Sequence, residues 1–239
     1  DQFDKAQASG ATCPVARDEA GSVIYGANGE PMPMYYDYNG TKYAFTGGDA
    51  IYEDVNHDGS IDQYDVVYLG SSLPKLTGGF GFRLFYKGWS LNAQFNYRYG
   101  NKIANVARMR AENMHGADNQ STAVNYRWRK EGDGANGGHV LPRALYGQGY
   151  NWMGSDRFVE DGSFLRLNYL QFSYGFDSKL IKRIGLSRLN LYVSGENLFC
   201  LTKYSGVDPE VNYGDMGVTK DEAITPRAKS FTFGLTATF

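Results

Sequence analysis

Hydrophobic and polar residues alternate along much of this chain. Phe80, Phe82, Leu84 and Tyr86 recur at every second position, and beyond Lys87-Gly88 the series resumes as Trp89, Leu91, Ala93, Phe95, Tyr97 and Tyr99. A period of two puts these side chains on one face of each strand and predicts a hairpin turned at Gly88. The opposite positions hold Gly79, Gly81 and Arg83, then Ser90, Asn92, Gln94, Asn96 and Arg98. A face of amides, Ser and Arg cannot be a dry core, because each such group would need a partner there. It can line water. The stretch from Ala228 to Phe239 alternates in the same way and ends on an aromatic residue, which predicts the closing strand of a barrel. A soluble antiparallel sandwich would also alternate, but its inner face would be the apolar one. The pattern therefore predicts an all-β fold, an antiparallel transmembrane β-barrel segment.

Further strands are expected over 164–176 and 189–202, joined by Asp177 to Ser187 with room for one short turn of helix. Residues 1–31 have no sustained period and read as loop with at most a short strand near Ser22 to Tyr25. The run from Met32 to Thr46 is strand-like, interrupted by the turn signal Asn39-Gly40. Within 100–162, helix-compatible stretches lie at Asn105 to Asn113 and Ser121 to Lys130, followed by a Gly-rich piece from Glu131 to Gly138. If the chain ends in the periplasm after Phe239, segments 47–76, 100–162 and 204–227 are extracellular. The short connections at Gly88 and 177–188 then fall on the periplasmic side, the asymmetry expected of outer-membrane barrels. Five or six strands cannot close a barrel, which needs at least about eight. Open strand edges in lipid would leave backbone groups unsatisfied, so another segment must complete the wall. No export signal opens the chain at Asp1, so a preceding part of the polypeptide is expected.

Composition agrees with this. Aromatic residues make up 15% of the 239 residues, with 19 Tyr and 14 Phe, yet the mean hydropathy is only -0.47. Aromatic girdles and a lipid face combined with a polar lumen and loops give that balance. No run of about 18 apolar residues forms a helical span. With 24 basic and 26 acidic residues there is no basic stripe, and no nucleic-acid partner is expected. Cys13 and Cys200 lie in dissimilar contexts and are read as free thiols. The chain carries no Gly-x-Ser-x-Gly elbow and no metalloprotease helix motif, so no enzymatic chemistry is expected.

One local motif stands apart. From Asp54 to Asp65 the sequence DVNHDGSIDQYD places oxygen-bearing residues where an EF-hand-type loop supplies its Ca²⁺ ligands. These are Asp54, Asn56, Asp58, Ser60 through its carbonyl, Asp62 through a water, and Asp65, with Gly59 at the sharp turn. Asp65 stands where a bidentate Glu is usual, which resembles dockerin loops and suggests weaker, structural binding of Ca²⁺. The competing reading is an Asx-rich turn that binds nothing. His57 falls at a non-ligand position.

Several further stretches carry a resemblance: Gly48-Asp49-Ala50-Ile51-Tyr52-Glu53 leading into the Asp54 loop, Tyr68-Leu69-Gly70, Tyr99-Gly100-Asn101-Lys102, Val159-Glu160-Asp161-Gly162-Ser163-Phe164, Ser194-Gly195-Glu196-Asn197-Leu198-Phe199 and Tyr204-Ser205-Gly206-Val207-Asp208-Pro209-Glu210. From about residue 45 to 239 the chain resembles the C-terminal part of SusC-like TonB-dependent transporters of Bacteroidetes. The resemblance implies the C-terminal strands of a 22-stranded barrel around an N-terminal plug. It also implies a SusD-like surface lipoprotein as lid, energy from TonB through the absent N-terminal part, and import of glycan oligosaccharides or peptides across the outer membrane. Arg83, Asn92, Gln94, Asn96, Arg98 and Glu196 are then candidate lumen residues, which either meet substrate or pair with the plug or their neighbours. Trp128, Tyr146, Tyr150 and Trp152 are expected to anchor their own loop or contact the lid, with stacking on sugar rings as the second reading. His115 and His139 are read as solvated. The alternative function is a calcium-stabilised cell-surface adhesion or glycan-binding β-protein with no transport activity.

Overall fold

The computed structural model describes residues 15–38, 40–130, 132–133, 141–211 and 218–239. Asn39, Cys13, His139 and most of the Gly-rich piece lie outside these residues. The chain divides into two compact units: residues 1–69 with 108–155, and residues 70–107 with 156–239.

The second unit is built on a five-stranded antiparallel sheet. Strands β4 (Leu76–Tyr86), β5 (Trp89–Tyr99), β8 (Phe164–Gly175), β9 (Arg188–Thr202) and β11 (Ser230–Thr238) follow one another across it in chain order. The predicted hairpin forms with Tyr86 opposite Trp89, and both turn residues are left-handed, Lys87 at φ 43° and Gly88 at φ 88°. Positive φ at both positions is the type I′ geometry that matches strand twist, and glycine adopts it without strain. Between 177 and 187 the chain makes the expected helical turn, α2 (Ser178–Ile181), continued by a 3₁₀ turn at Lys182–Ile184. The register shifts in both pairings of β8, at Gln94/Phe95 against β5 and at Leu167/Tyr169 against β9, and both shifts fall at Asn168. This matters for side-chain direction. Leu165 and Leu167 share a face with Leu170, Phe172 and Tyr174 because Asn168 is the extra residue between them.

A smaller sheet in this unit joins β6 (Lys102–Asn105), β7 (Val159–Asp161) and β10 (Lys220–Asp221), with β6 and β10 parallel. Ile103, Tyr204 and Val211 form its buried apolar cluster. Neither this sheet nor the parallel pairing is predicted by alternation, since two- to four-residue strands are too short to show a period.

In the first unit, β1 (Tyr35–Tyr38) and β2 (Thr41–Ala44) form the hairpin expected around Gly40, and β3 (Ser60–Ile61) pairs parallel with β1. Met34, Phe45 and Ile61 make its core, packed by Tyr36, Tyr43, Ile51, Tyr52, Tyr150 and Met153. The region near Ser22 to Tyr25 makes only isolated bridges, Arg17 with Val23 and Tyr25 with Pro31. The helix expected near 105–113 is α1 (Val106–Glu112), a run free of Gly and Pro with an Arg108–Glu112 ion pair one turn apart at 2.9 Å. The stretch from Ser121 is a 3₁₀ turn, Thr122–Tyr126, with the Ser121 hydroxyl accepting from Ala123 N.

Candidate functional site

The register of the five-stranded sheet sorts its side chains into two faces. On one, Arg83, Asn92, Gln171, Ser194 and Thr232 lie in a single row across all five strands. The next row is Gly81, Gln94, Tyr169, Glu196 and Ser230, and a third runs Gly79, Asn96, Arg166 and Cys200. All six lumen candidates, Arg83, Asn92, Gln94, Asn96, Arg98 and Glu196, therefore share one face. Short polar links cross it: Ser90 and Ser173 hydroxyls stand 2.5 Å apart, and the Ser230 hydroxyl donates to Glu196 at 3.1 Å. Arg98 and Arg166 both place a guanidinium over the Phe164 ring, at 5.6 and 5.7 Å.

The opposite face is apolar and exposed at its outer strands, while Ala93 and Leu167 within it are buried. Phe231, Phe233 and Leu235 are 66%, 81% and 62% exposed, so this one strand presents roughly 400 Å² of apolar surface, as much as the largest patch on an ordinary soluble monomer. Trp89 packs against Phe172 at 4.7 Å and Tyr174 at 4.5 Å at one end, and Tyr99 stands at the other. Ten residues separate Trp89 from Tyr99, about 33 Å along the strand, or about 25 Å once the strand is tilted by about 40°. That is the height of the apolar band of an outer-membrane barrel. Water suits the polar face of the sheet and hydrocarbon the apolar one.

Sequence reasoning did not single out the charge cluster above the polar face. Arg166, 4% exposed, donates through Nη2 to Asp208 Oδ1, and its Nε stands 3.2 Å from Glu210 Oε2. Arg227 Nη2 donates to Glu210 Oε1 at 2.9 Å, and Arg227 N to Asp208 Oδ2 at 3.3 Å. Two arginines and two carboxylates thus hold the 208–210 segment against β8. The signal was an arginine inside an alternating strand, obscured by the phase shift at Asn168. Near this cluster Cys200 is a free thiol.

In the first unit, Asp54 to Asp65 is a tightly self-bonded turn. Asp54 accepts from Asp58 N at 3.2 Å and Gly59 N at 2.8 Å, Asn56 accepts from Asp58 N at 3.1 Å, and Asp58 accepts from Ser60 N at 2.8 Å. Asp65 closes the loop by accepting from Val55 N and Asp62 N, both at 2.8 Å. Gly59 takes φ 83° at the sharp turn. None of Asp54, Asp58, Asp62 or Asp65 meets an Arg, Lys or His counter-ion among the described residues. Among those residues, equally, no three His, Cys, Asp or Glu side chains are grouped as a metal centre. The backbone has the expected turn and uncompensated acids, while the side chains point to amides.

Of the loop aromatics, Trp128 packs its ring into the space beside Gly48, whose absent Cβ would lie 2.3 Å away. Tyr150 stacks on Tyr36 with centroids 3.7 Å apart, and Trp152 donates to Gly149 O at 3.1 Å. Tyr146 is 76% exposed. The His115 ring lies 3.2 Å from Gln148 O and 5.4 Å from the Trp152 ring. Beneath them Asp49, 1% exposed, is paired with Arg143 at 2.6 Å and accepts from Tyr43 at 2.8 Å and Thr46 N at 2.9 Å. Burial alone would raise the Asp49 pKa, but the bonds from Arg143, Thr46 and Tyr43 outweigh it and hold the carboxyl below its usual range.

No protein-family model matches the chain. It is 30% identical over 199 residues to TonB-dependent receptor P3 of Formosa agariphila, covering 80% of this chain and 19% of the relative. It is 27% identical to TonB-dependent receptor SusC of Bacteroides thetaiotaomicron, over 90% of this chain and 18% of SusC. Among solved structures, the RagAB peptide transporter matches at a TM-score of 0.59 and 28% identity, over 71% of this chain and 18% of that one. The chain spans about a fifth of the length of the curated relatives it matches. The five-stranded sheet is a segment of an antiparallel transmembrane barrel wall.

Proposed function

We propose that this segment, a SusC-like TonB-dependent receptor sequence, works in an outer-membrane importer of nutrients. The observation that carries the reading is the sheet with a polar row face and an apolar band of membrane height, in a chain similar to TonB-dependent receptors. A wall of this kind passes polar solute on one side while resting in lipid on the other. The cargo is an oligosaccharide or a peptide; a neighbour in fold is a peptide transporter, which favours the second. Arg83, Asn92, Gln94, Asn96, Arg98 and Glu196 face the path. The rest of the barrel, the plug and the TonB contact belong to the remainder of the receptor, and a SusD-like lipoprotein covers the outer mouth. With the C-terminus in the periplasm, residues 47–76, 100–162 and 204–227 are the outer loops.

Within the loops, residues 54–65 take one Ca²⁺ as a structural ion, through Asp54, Asn56, Asp58, Ser60, Asp62 and Asp65. Their charge, uncompensated among the described residues, and the turn at Gly59 support this, and binding requires the carboxylates to swing from their amides to the ion. The adhesion alternative gains no support from transporter relatives.

The test is native purification of the whole receptor from outer membranes in mild detergent, with mass spectrometry of what remains bound. Recovery with a SusD-like lipoprotein, and loss of labelled peptide or oligosaccharide uptake on deleting residues 70–239, is expected. Uptake unchanged by that deletion would sink the reading.

A further inference from the structure

The connection between β8 and β9 is more than a short turn. Gly175 N donates to Gly88 O at 2.8 Å and Ser187 N to Thr238 O at 2.7 Å, so residues 177–187 lie at the same sheet end as the Lys87-Gly88 turn and the C-terminal strand end. That end carries the Trp89, Phe172 and Tyr174 cluster, extended by Phe176 at 4.9 Å from Tyr174. Within the turn Ile181 is 3% exposed and fixes it to the unit, while Leu180 and Ile184, one helical turn apart, are 63% and 68% exposed. Gly185, left-handed at φ 79°, ends the turn, with its N donating to Lys182 O at 3.2 Å. Exposed Lys179, Lys182 and Arg183 flank the two apolar residues in sequence, Arg188 follows, and Lys87 stands on the neighbouring turn. Against these, the two connections hold one acidic side chain, Asp177.

A short helical turn with two unburied aliphatic side chains, a basic rim and a girdle beside it matches one environment, the headgroup layer of a bilayer containing anionic lipid. We propose that residues 178–184 are an interfacial anchor in which Leu180 and Ile184 enter the acyl boundary of the periplasmic leaflet while Lys179, Lys182 and Arg183 bind the phosphates of anionic phospholipid. The occupant is the lipid layer itself, continuous with the apolar band of the sheet. The inference rests on the reading of the sheet as an outer-membrane barrel wall with its C-terminus in the periplasm.

The test uses the whole receptor in phosphatidylethanolamine vesicles with and without phosphatidylglycerol. Nitroxides are placed by Ile184→Cys and, as a reference on the apolar face, Phe231→Cys, in a background free of other cysteines. Their collisions with oxygen and with a water-soluble nickel complex are then compared. A label at 184 should favour oxygen several-fold over a label placed by Tyr146→Cys, and more strongly with phosphatidylglycerol. The K179Q/K182Q/R183Q variant should erase the phosphatidylglycerol effect. If 184 meets nickel as freely as 146 while 231 reports hydrocarbon, the barrel stands and the anchor is wrong. Exclusion of both reagents from 184 points to protein cover and also overturns it, as does a triple variant with no effect. If 231 itself reports water, the barrel reading falls and the anchor with it.

Discussion

Phe45 and Phe231 are the same residue in opposite circumstances. The first is 1% exposed, packed between Met34 and Ile61 under a shell of tyrosines, whereas the second is 66% exposed beside Phe233 and Leu235. Around Phe45 the first unit follows the rules of a protein in water, with a dry core and, among the described residues, one buried acid fully paired. In the sheet the order is inverted, polar groups inward and aromatics outward, because its outer solvent is lipid. Each unit would be misread if judged by the other's solvent. The same hydrophobic term that collapses the first unit holds the sheet in the membrane.

The largest expected effect tests the watery half. Asp49→Ala removes the partner of Arg143 and the acceptor for Tyr43 and Thr46, leaving a part-buried guanidinium without its counter-ion, a cost of about 3–5 kcal/mol. Exchange of the Thr46 amide should accelerate strongly while amides of β5 and β8 in the same receptor stay protected. Loss of protection in both would break the division into two kinds of packing. The pH dependence has a definite sign. The Asp49 pKa is depressed in the fold, because bonds to its carboxylate outweigh the burial that would raise it. Its contribution is complete above the unfolded carboxyl pKa of about 3.9 and is lost as pH falls through the lower folded value. Thr46 protection should be flat from neutral pH to about 4 and drop only below that.

Adjacent positions on β11 test the lipid half. Phe231 and Thr232 differ by one residue and face opposite sides of the sheet. Phe231→Arg puts a cation in the apolar band and should cost about 2–4 kcal/mol, seen as loss of the heat-modifiable folded form from outer membranes. Thr232→Arg, on the polar face, should leave the folded form abundant. Equal losses would mean that the two faces do not meet different solvents.

A smaller change sharpens where the boundary runs. Tyr204, 6% exposed, donates to Asp221 at 2.6 Å beside Ile103 and Val211, and burial followed by the nearby carboxylate raises its pKa, so it stays a donor. Tyr204→Phe should destabilise this small sheet by about 1–2 kcal/mol, readable as faster exchange at β6 and β10 with the five-stranded sheet unchanged. The outcome would place a dry, water-type core inside the second unit.

Strong local periods made much of this legible. The β4–β5 hairpin, the limits of β8, β9 and β11, the helical turn after 177 and the face shared by the six lumen candidates all follow from alternation and turn residues. Arg166 escaped because Asn168 shifts the phase of β8, so that 164 and 166 join 169, 171 and 173 on one face. In retrospect Leu165, Leu167, then Leu170 and Phe172 show that slip directly. The Asp208 and Glu210 partners lie about forty residues away and carry no local signal. Nor did the buried Asp49, whose partner Arg143 is 94 residues distant.

The smallest effect concerns the acidic loop, and it decides between two uses of the same residues. If Asp54, Asp58, Asp62 and Asp65 only cap amides, calcium changes nothing, because each carboxylate already has its donors. If they hold an ion of extracellular-module affinity, millimolar calcium adds about 0.4–1.4 kcal/mol, local to the first unit. Proteolysis within 54–65 of the purified receptor should then slow a few-fold on adding calcium, return on chelation, and ignore magnesium, which prefers a tighter octahedral site. Asp58→Asn should abolish the calcium response while keeping the turn, since its Oδ1 can still accept from Ser60 N. A loop equally resistant with and without calcium would leave the amide-capped turn as the whole explanation of this acidic sequence.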